Sequence, residues 1–257
     1  MQVAPSAAAA GVRLVSLDAV GSTNVEAMAL ARSGERGPLW VTAARQTAGR
    51  GRRGSAWTSE PGNLYASLLV TDAAPSSLLP ELCFVVALAV RDAICAVAPS
   101  LAPVLKLKWP NDLLLDGAKI VGILIEAERV GSATATVIGI GINCAHHPEG
   151  TPYAATDLNV HGAAITPPQV FKALSAAMVE RLALWDRGRG FATIRAEWLA
   201  HAAGIGGDIV VRLPNRQLAG KFESLDQTGR LMLRLPEGHL EAITAGEVFP
   251  ALSQSRP

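Results

Sequence analysis

Residues 49–61 read Gly49-Arg50-Gly51-Arg52-Arg53-Gly54-Ser55-Ala56-Trp57-Thr58-Ser59-Glu60-Pro61. The first six positions match GxGxxG, the dinucleotide fingerprint, but that fingerprint requires a helix immediately afterwards. Ser55–Pro61 does not read as a helix, so a doubly wound dinucleotide fold is set aside. The stretch belongs instead to a long Gly- and Pro-containing loop running from Gln46 to Asn63, and loops of that length are often functional. Three arginines among three glycines can fold over an anion, with backbone N–H groups turned towards it. They also fit a solvated basic turn or a nucleic-acid patch, and this stretch alone supports an anion site and a solvated turn equally.

Working outward, Leu14–Leu17 reads as a short strand, and Thr23 with Glu26 three positions on reads as a capping box. That box opens a helix to about Arg32. Strands are expected at Leu39–Ala44 and Leu64–Val70, and an apolar helix at Leu78–Val97. Val104–Trp109 alternates as a strand, with Lys106 and Lys108 opposite Leu105 and Leu107. Leu113–Leu115 and Lys119–Glu126 form a hairpin around Asp116-Gly117, and Ala135–Ile142 is a buried strand. Helices at Gln169–Trp185 and Phe191–His201 follow. After Gly204–Gly207 the pattern becomes short strands at 209–213, 218–224, 231–235, 240–243 and 247–252, which predicts a small barrel.

The bulk numbers narrow the class. The chain has 257 residues, 49% apolar and 18% charged, so it is long enough and apolar enough to bury a large core. A net charge of +1 argues against a general nucleic-acid or membrane-surface binder. Three cysteines, Cys83, Cys95 and Cys144, show no CxxC spacing and fit a reducing compartment. Met1–Gly11 lacks the basic start of a signal peptide and reads as a frayed leader. His146 and His147, before Pro148, read as exposed rather than metal-binding. No GxxxxGK[ST] loop and no GxSxG elbow occur.

Three further clusters carry chemistry. In Lys108-Trp109-Pro110-Asn111-Asp112, Pro110 ends a strand and presents Asn111 and Asp112 at a turn, where such residues are common anyway. An oxygen-rich pair beside lysines would also suit Mg²⁺ with phosphates. Lys119 opens the apolar Lys119–Glu126 strand; taken alone it reads as a strand-end lysine with its head in water. Gly122, Gly139 and Gly141 leave strand faces without side chains, making room either for a flat ligand or for another backbone.

In this order and spacing, Ser22-Thr23-Asn24, Gln46, GRGRRG at 49–54, Trp57, KWPND at 108–112, KIVGIL at 119–124 and GIGIN at 139–143 resemble the biotin–protein ligase family. The resemblance spans about residues 14–252. Relatives often carry a basic residue or Asn where this chain has Ser55. The resemblance implies an α+β fold: a catalytic domain over 1–203, with a mixed β-sheet flanked by helices, related to class II synthetases and lipoate ligases. An SH3-like β-barrel would occupy 204–257. It implies biotin binding by Ser22, Thr23, Asn24, Gln46, Gly49, Arg50, Gly51, Arg52, Lys119, Gly122, Gly139 and Gly141. ATP would be bound by Arg52, Arg53, Trp57, Lys108, Asn111, Lys119 and Asn143, and Mg²⁺ by Asp112, with Lys119, Arg52 and Asp112 catalytic. The partners implied are biotin, ATP and the biotin carboxyl carrier protein of acetyl-CoA carboxylase, in the cytoplasm, with no DNA and no membrane; a homodimer is left open. Only about a dozen residues precede the catalytic domain, so the resemblance is to the monofunctional type without a DNA-binding helix-turn-helix.

The expected chemistry follows from charge. Biotin's carboxylate must attack the α-phosphorus of ATP, and both are anions. Lys119 is expected to bridge them, with Arg52, Arg53 and Lys108 on phosphates. The 49–57 loop would close as a lid over biotinyl-5′-AMP, with Trp57 excluding water or stacking on adenine. A lipoate or octanoate ligase on the same scaffold is the nearest alternative, followed by a nucleic-acid module and a non-catalytic biotin sensor.

Overall fold

The computed structural model describes residues 1–250. Seven strands form one mixed sheet: β1 (Arg13–Val20), β2 (Leu39–Gln46), β3 (Leu64–Thr71), β4 (Leu105–Lys108), β5 (Asp112–Leu115), β6 (Ala118–Val130) and β7 (Ala133–Ile142). Their spatial order is β1-β2-β3-β7-β6-β5-β4. β1 and β2 are parallel and the remaining neighbours antiparallel. The expected Asp116-Gly117 hairpin joins β5 to β6, with φ of 49° and 80° at its two turn residues, as a primed turn requires.

Strand alternation divides the apolar residues between two faces. Trp40, Leu68, Ile138 and Ile140 pack into the large core beneath α3 (Leu82–Val97), α4 (Pro167–Trp185) and α5 (Phe191–Ala200). Their neighbours Val41, Leu69 and Val137 face the other way, against Ala27, Met28 and Ala31 of α2 (Thr23–Arg32). α2 is short, so it covers only part of that second face. Its first turn reaches Gly139 through Asn24, and the part it leaves is where Gly141 and Gly122 lie.

Three local expectations are corrected. Thr23 is the first helical residue rather than the cap, its hydroxyl donating to Gln46 Oε1; Ser22 holds the cap position, without a side-chain cap bond. α3 begins at Leu82, not Leu78, since Pro80 lies in a preceding 3₁₀ turn, where its missing N–H is tolerated. Met1–Gly11 is not frayed: Pro5–Ala9 forms α1, Ala7 is buried, and the Ala4 N–H donates to Ser175 Oγ at 2.8 Å.

After α5 the chain builds a five-stranded antiparallel sheet from β8 (Asp208–Arg212), β9 (Gln217–Leu225), β10 (Leu231–Arg234), β11 (Leu240–Ile243) and β12 (Glu247–Pro250). The end of the predicted last strand, at 251–252, lies outside the described residues. Ile209, Val211, Phe222, Leu231, Leu233 and Val248 fill its inner side. It docks on the large sheet through buried contacts. The Trp109 indole N–H donates to the Gly229 carbonyl at 3.0 Å. Phe84 packs edge-on against Phe191 and Trp198, and a Cβ at Gly229 would stand 2.6 Å from its ring. Among the described residues no helix is long and apolar enough to cross a membrane.

Phe84, on α3, therefore packs against both α5 and the terminal sheet's Gly229 turn. Phe84→Ala is expected to lower the unfolding free energy by about 3–5 kcal/mol, as for a large buried aromatic. Denaturant titration followed by tryptophan fluorescence measures it, and a loss below about 1 kcal/mol would contradict this packing.

Candidate active site

The uncovered end of the second face is the floor of a cleft of about 360 Å³. Gly122 and Gly141 are paired across β6 and β7, and Gly139 is paired with Leu124. The indole of Trp57 lies on two of these glycines: a Cβ would come within 2.7 Å of it at Gly122 and 2.5 Å at Gly141. The Asn24 amide lies on the third, 2.2 Å from where a Gly139 Cβ would be. The Trp57 indole nitrogen is buried with no hydrogen-bond partner. A buried N–H without a partner costs about 1–3 kcal/mol.

At the inner end a polar network is fixed by geometry. Gln46 Oε1 accepts from the Thr23 N–H at 2.8 Å and from its hydroxyl at 3.1 Å, while Gln46 Nε2 donates to Ser59 Oγ at 2.9 Å. Ser67 Oγ is within hydrogen-bond reach of both Thr23 Oγ1 and Asn24 Oδ1. Asn24 Nδ2 donates to Glu126 at 2.8 Å, and the same carboxylate takes Arg50 at 2.6 Å.

The glycine-arginine segment is a miniature hairpin. Arg50 and Ala56 form a bridge, the Gly51 N–H donates to Ser55 O, and the Trp57 N–H donates to Gly49 O. It is pinned over the cleft by Arg50 on Glu126 and by Arg52, whose guanidinium donates to Asn111 Oδ1 at 2.8 Å.

Lys119 stands at the centre. Its main chain is held on both sides, donating to Ala154 O at 2.7 Å and accepting from the Thr156 N–H at 2.9 Å. Its ammonium lies 2.8 Å from Asp112 Oδ1, both side chains being 14% exposed. The Tyr153 ring is 5.0 Å from Nζ and the Trp57 ring 5.5 Å. The Lys108 ammonium lies over Phe249 of β12 at 5.2 Å, and Arg212 of β8 stacks on the same ring at 4.3 Å. Burial pushes the Lys108 ammonium below its ordinary value, against the opposing pull of Asp112.

Residues 22–143 match the biotin/lipoate A/B protein ligase family, and residues 204–249 match the biotin protein ligase C-terminal domain. The biotin–[acetyl-CoA-carboxylase] ligase of Paracoccus denitrificans is 40% identical over 238 residues, covering 89% of this chain and 96% of its own. The chain belongs to the biotin protein ligase family. Among solved structures, the Aquifex aeolicus biotin protein ligase in complex with biotin and ATP superposes with a TM-score of 0.78 at 26% identity, over 92% of this chain and 97% of its own. The Leishmania major biotin protein ligase in complex with biotinyl-5-AMP gives 0.64 at 27% identity, over 91% and 99%.

Most residues that the biotin ligase resemblance singled out meet in the one cleft: Ser22, Thr23, Asn24, Gln46, Arg50, Gly51, Arg52, Trp57, Lys108, Asn111, Asp112, Lys119, Gly122, Gly139 and Gly141 all line it. Three do not. Asn143 is 2% exposed and its amide donates to the Thr156 carbonyl behind the cleft wall. Arg53 is exposed on a left-handed backbone (φ 54°) and does not line the cleft. Gly49 serves the hairpin's own closure, where a Cβ would strike Trp57 O at 2.4 Å. His146 and His147 are half-buried rather than exposed; His146 lies at the Pro61 carbonyl and His147 on Asp157 at 2.6 Å. Among the described residues no cluster of three or more His, Cys, Asp or Glu could cage a metal. Glu126, Ser59, Ser67, Tyr153, Arg212 and Phe249 escaped the sequence reading. Glu126 alone carried a signal, lying on the Gly122 face of β6 at strand period two.

The glycine floor yields a direct test. Gly141→Ala is expected to push the indole off the sheet and loosen the hairpin, raising the rate of tryptic cleavage after Arg52 and Arg53 several-fold. An unchanged cleavage rate would show that Trp57 does not hold the hairpin down.

Proposed function

We propose that this cleft condenses biotin with ATP to biotinyl-5′-AMP and then transfers the biotinyl group to a lysine of a carrier domain, that of an acetyl-CoA carboxylase. The observation that carries this reading is Lys119, whose ammonium, paired with Asp112, stands between the polar 22–24/46 end and the cationic 52/108 end of one cleft. The relatives support it. The Paracoccus denitrificans protein is named for acetyl-CoA carboxylase, and the Aquifex aeolicus and Leishmania major structures contain biotin with ATP and biotinyl-5-AMP. The division into a catalytic domain over 1–203 and an appended domain from 204 belongs to the same reading, as does a cytoplasmic location, which the free thiols Cys83, Cys95 and Cys144 fit.

The residues divide the work by charge. The ureido ring of biotin needs donors and acceptors, which Ser22, Thr23 and Gln46 offer at the inner end. Its apolar tail needs the glycine floor, so the Trp57 indole must shift as the tail enters. Lys119 then draws the biotin carboxylate and the α-phosphate together. A carboxylate oxygen attacks the α-phosphorus and pyrophosphate leaves, with Arg52 and Lys108 placed to hold its charge. This is catalysis by positioning and preorganised charge. In the second step the carrier's lysine amine attacks the acyl carbon and AMP departs.

The site fits Mg²⁺ through a single carboxylate. Asp112 Oδ1 is buried with no aligned hydrogen-bond donor, only the ammonium of Lys119 beside it. Asn111 is spoken for at both ends, by Arg52 and by the Ile123 carbonyl. A magnesium ion held by one carboxylate and the substrate phosphates is ordinary coordination for that ion, and when bound it would neutralise the polyphosphate charge.

Incubation of the protein with labelled biotin, Mg-ATP and a biotin carrier domain should place label on the carrier lysine; label from lipoate or octanoate instead would overturn the assignment. In the same assay Lys119→Ala should lower adenylate formation at least 10²–10³-fold, the scale for losing one preorganised charge-assisted donor, while the circular dichroism spectrum is retained. Arg52→Gly should unpin the hairpin at Asn111 and let the adenylate escape, so that bystander proteins become labelled. Labelling confined to the carrier would refute the lid role.

A further inference from the structure

Lys119 has three side chains around its ammonium, and they come from three different elements. Asp112 is on β5, Trp57 is on the hairpin over the cleft, and Tyr153 is on the segment after β7. Two of these are not dependable once substrates enter. Asp112 must share the ammonium with any arriving carboxylate or phosphate. Trp57 occupies the glycine floor, which the same substrates need. Tyr153 differs, because its segment is tied to Lys119 by main-chain bonds on either side of the lysine, from Lys119 N to Ala154 O at 2.7 Å and from Thr156 N to Lys119 O at 2.9 Å. The segment is anchored further along, where the Thr156 carbonyl accepts from Asn143 and the Thr156 hydroxyl meets His161. A ring face 5.0 Å from the ammonium attracts it through the ring quadrupole, without competing for the acceptor oxygens of a ligand.

We propose that Tyr153 is a positioning residue of the ligation reaction, holding the Lys119 ammonium aimed into the cleft while the contacts to Asp112 and Trp57 are exchanged for contacts to substrate. Its role uses the face of the ring and not the phenol oxygen. Phenylalanine therefore replaces it and leucine, of similar bulk, does not. The proposal rests on the biotin ligase reading only for the identity of the ligand. The contact between Tyr153 and Lys119 can be tested by binding alone.

The experiment measures the affinity of a non-hydrolysable biotinyl-adenylate analogue, by calorimetry, for wild type, Tyr153→Phe, Tyr153→Leu, Lys119→Ala and the Tyr153→Leu/Lys119→Ala double variant. Tyr153→Phe should bind within about twofold of wild type. Tyr153→Leu should bind about tenfold more weakly, within the range of a partly desolvated cation–π contact, and the single-turnover rate of adenylate formation should fall by a similar factor with the KM for biotin nearly unchanged. The double variant should bind no more weakly than Lys119→Ala, since Tyr153 acts only through the lysine. Additive losses in the double variant, or a loss in Tyr153→Phe equal to that in Tyr153→Leu, would overturn the proposal. Failure of every form to bind the analogue, wild type included, would instead overturn the ligand identity.

Discussion

The site exists because two strands in the middle of a buried sheet give up their side chains. Gly122 and Gly141 face one another across β6 and β7, with Gly139 one repeat along. Each glycine in a strand interior costs about 0.5–1 kcal/mol in backbone entropy and lost packing. The surrounding sheet offsets this with Ile123, Ile138, Ile140 and Ile142 on the opposite face, all at most 3% exposed. The groove then orders what lies above it. Asn24 fits against Gly139, hands its amide to Glu126, and Glu126 receives Arg50 from the hairpin. One backbone requirement thus propagates from the sheet floor to the cover of the cleft.

The cations of the cleft are mostly committed to partners: Arg50 to Glu126, Arg52 to Asn111, Lys119 to Asp112. Paired or hydrogen-bonded charges avoid the penalty of lone buried ones, and an anionic ligand gains only the difference between the new partner and the old. Lys108 stands apart. Like Arg212 it faces the Phe249 ring and has no carboxylate in direct contact, and burial disfavours its charge. An arriving phosphate is therefore worth more to Lys108 than to a cation already neutralised.

Sequence and structure agree where local physics decides the outcome. The Leu105/Leu107 alternation, the Asp116-Gly117 turn and the short strands after residue 204 are set by side-chain period and by backbone sign, and each appears where it was expected. The cap of α2 did not, because a tertiary partner, Gln46, outbid the local capping box for the Thr23 hydroxyl. Asn143 followed the glycine motif in sequence but turns into the Thr156 loop, since the glycine alternation ends with β7. Tyr153 was illegible for a different reason. It sits in an irregular loop with no periodicity, and only the fold brings that loop beside Lys119. Glu126 could have been found, by extending the period-two count two residues beyond Leu124.

The hydrogen bond from the Trp109 indole to the Gly229 carbonyl bears on how this architecture can be inherited. Trp109 lies between Lys108 and Asn111, so the motif that shapes the cleft keeps its own buried N–H satisfied only by borrowing a carbonyl from the terminal sheet. The two sheets are thus not interchangeable parts. A recombination event that exchanged the terminal unit for another would have to re-create an acceptor at that one point, or the motif beside Lys108 would lose its footing. A buried N–H that loses its acceptor costs about 1–3 kcal/mol, so the join between the two units is sensitive at that one carbonyl.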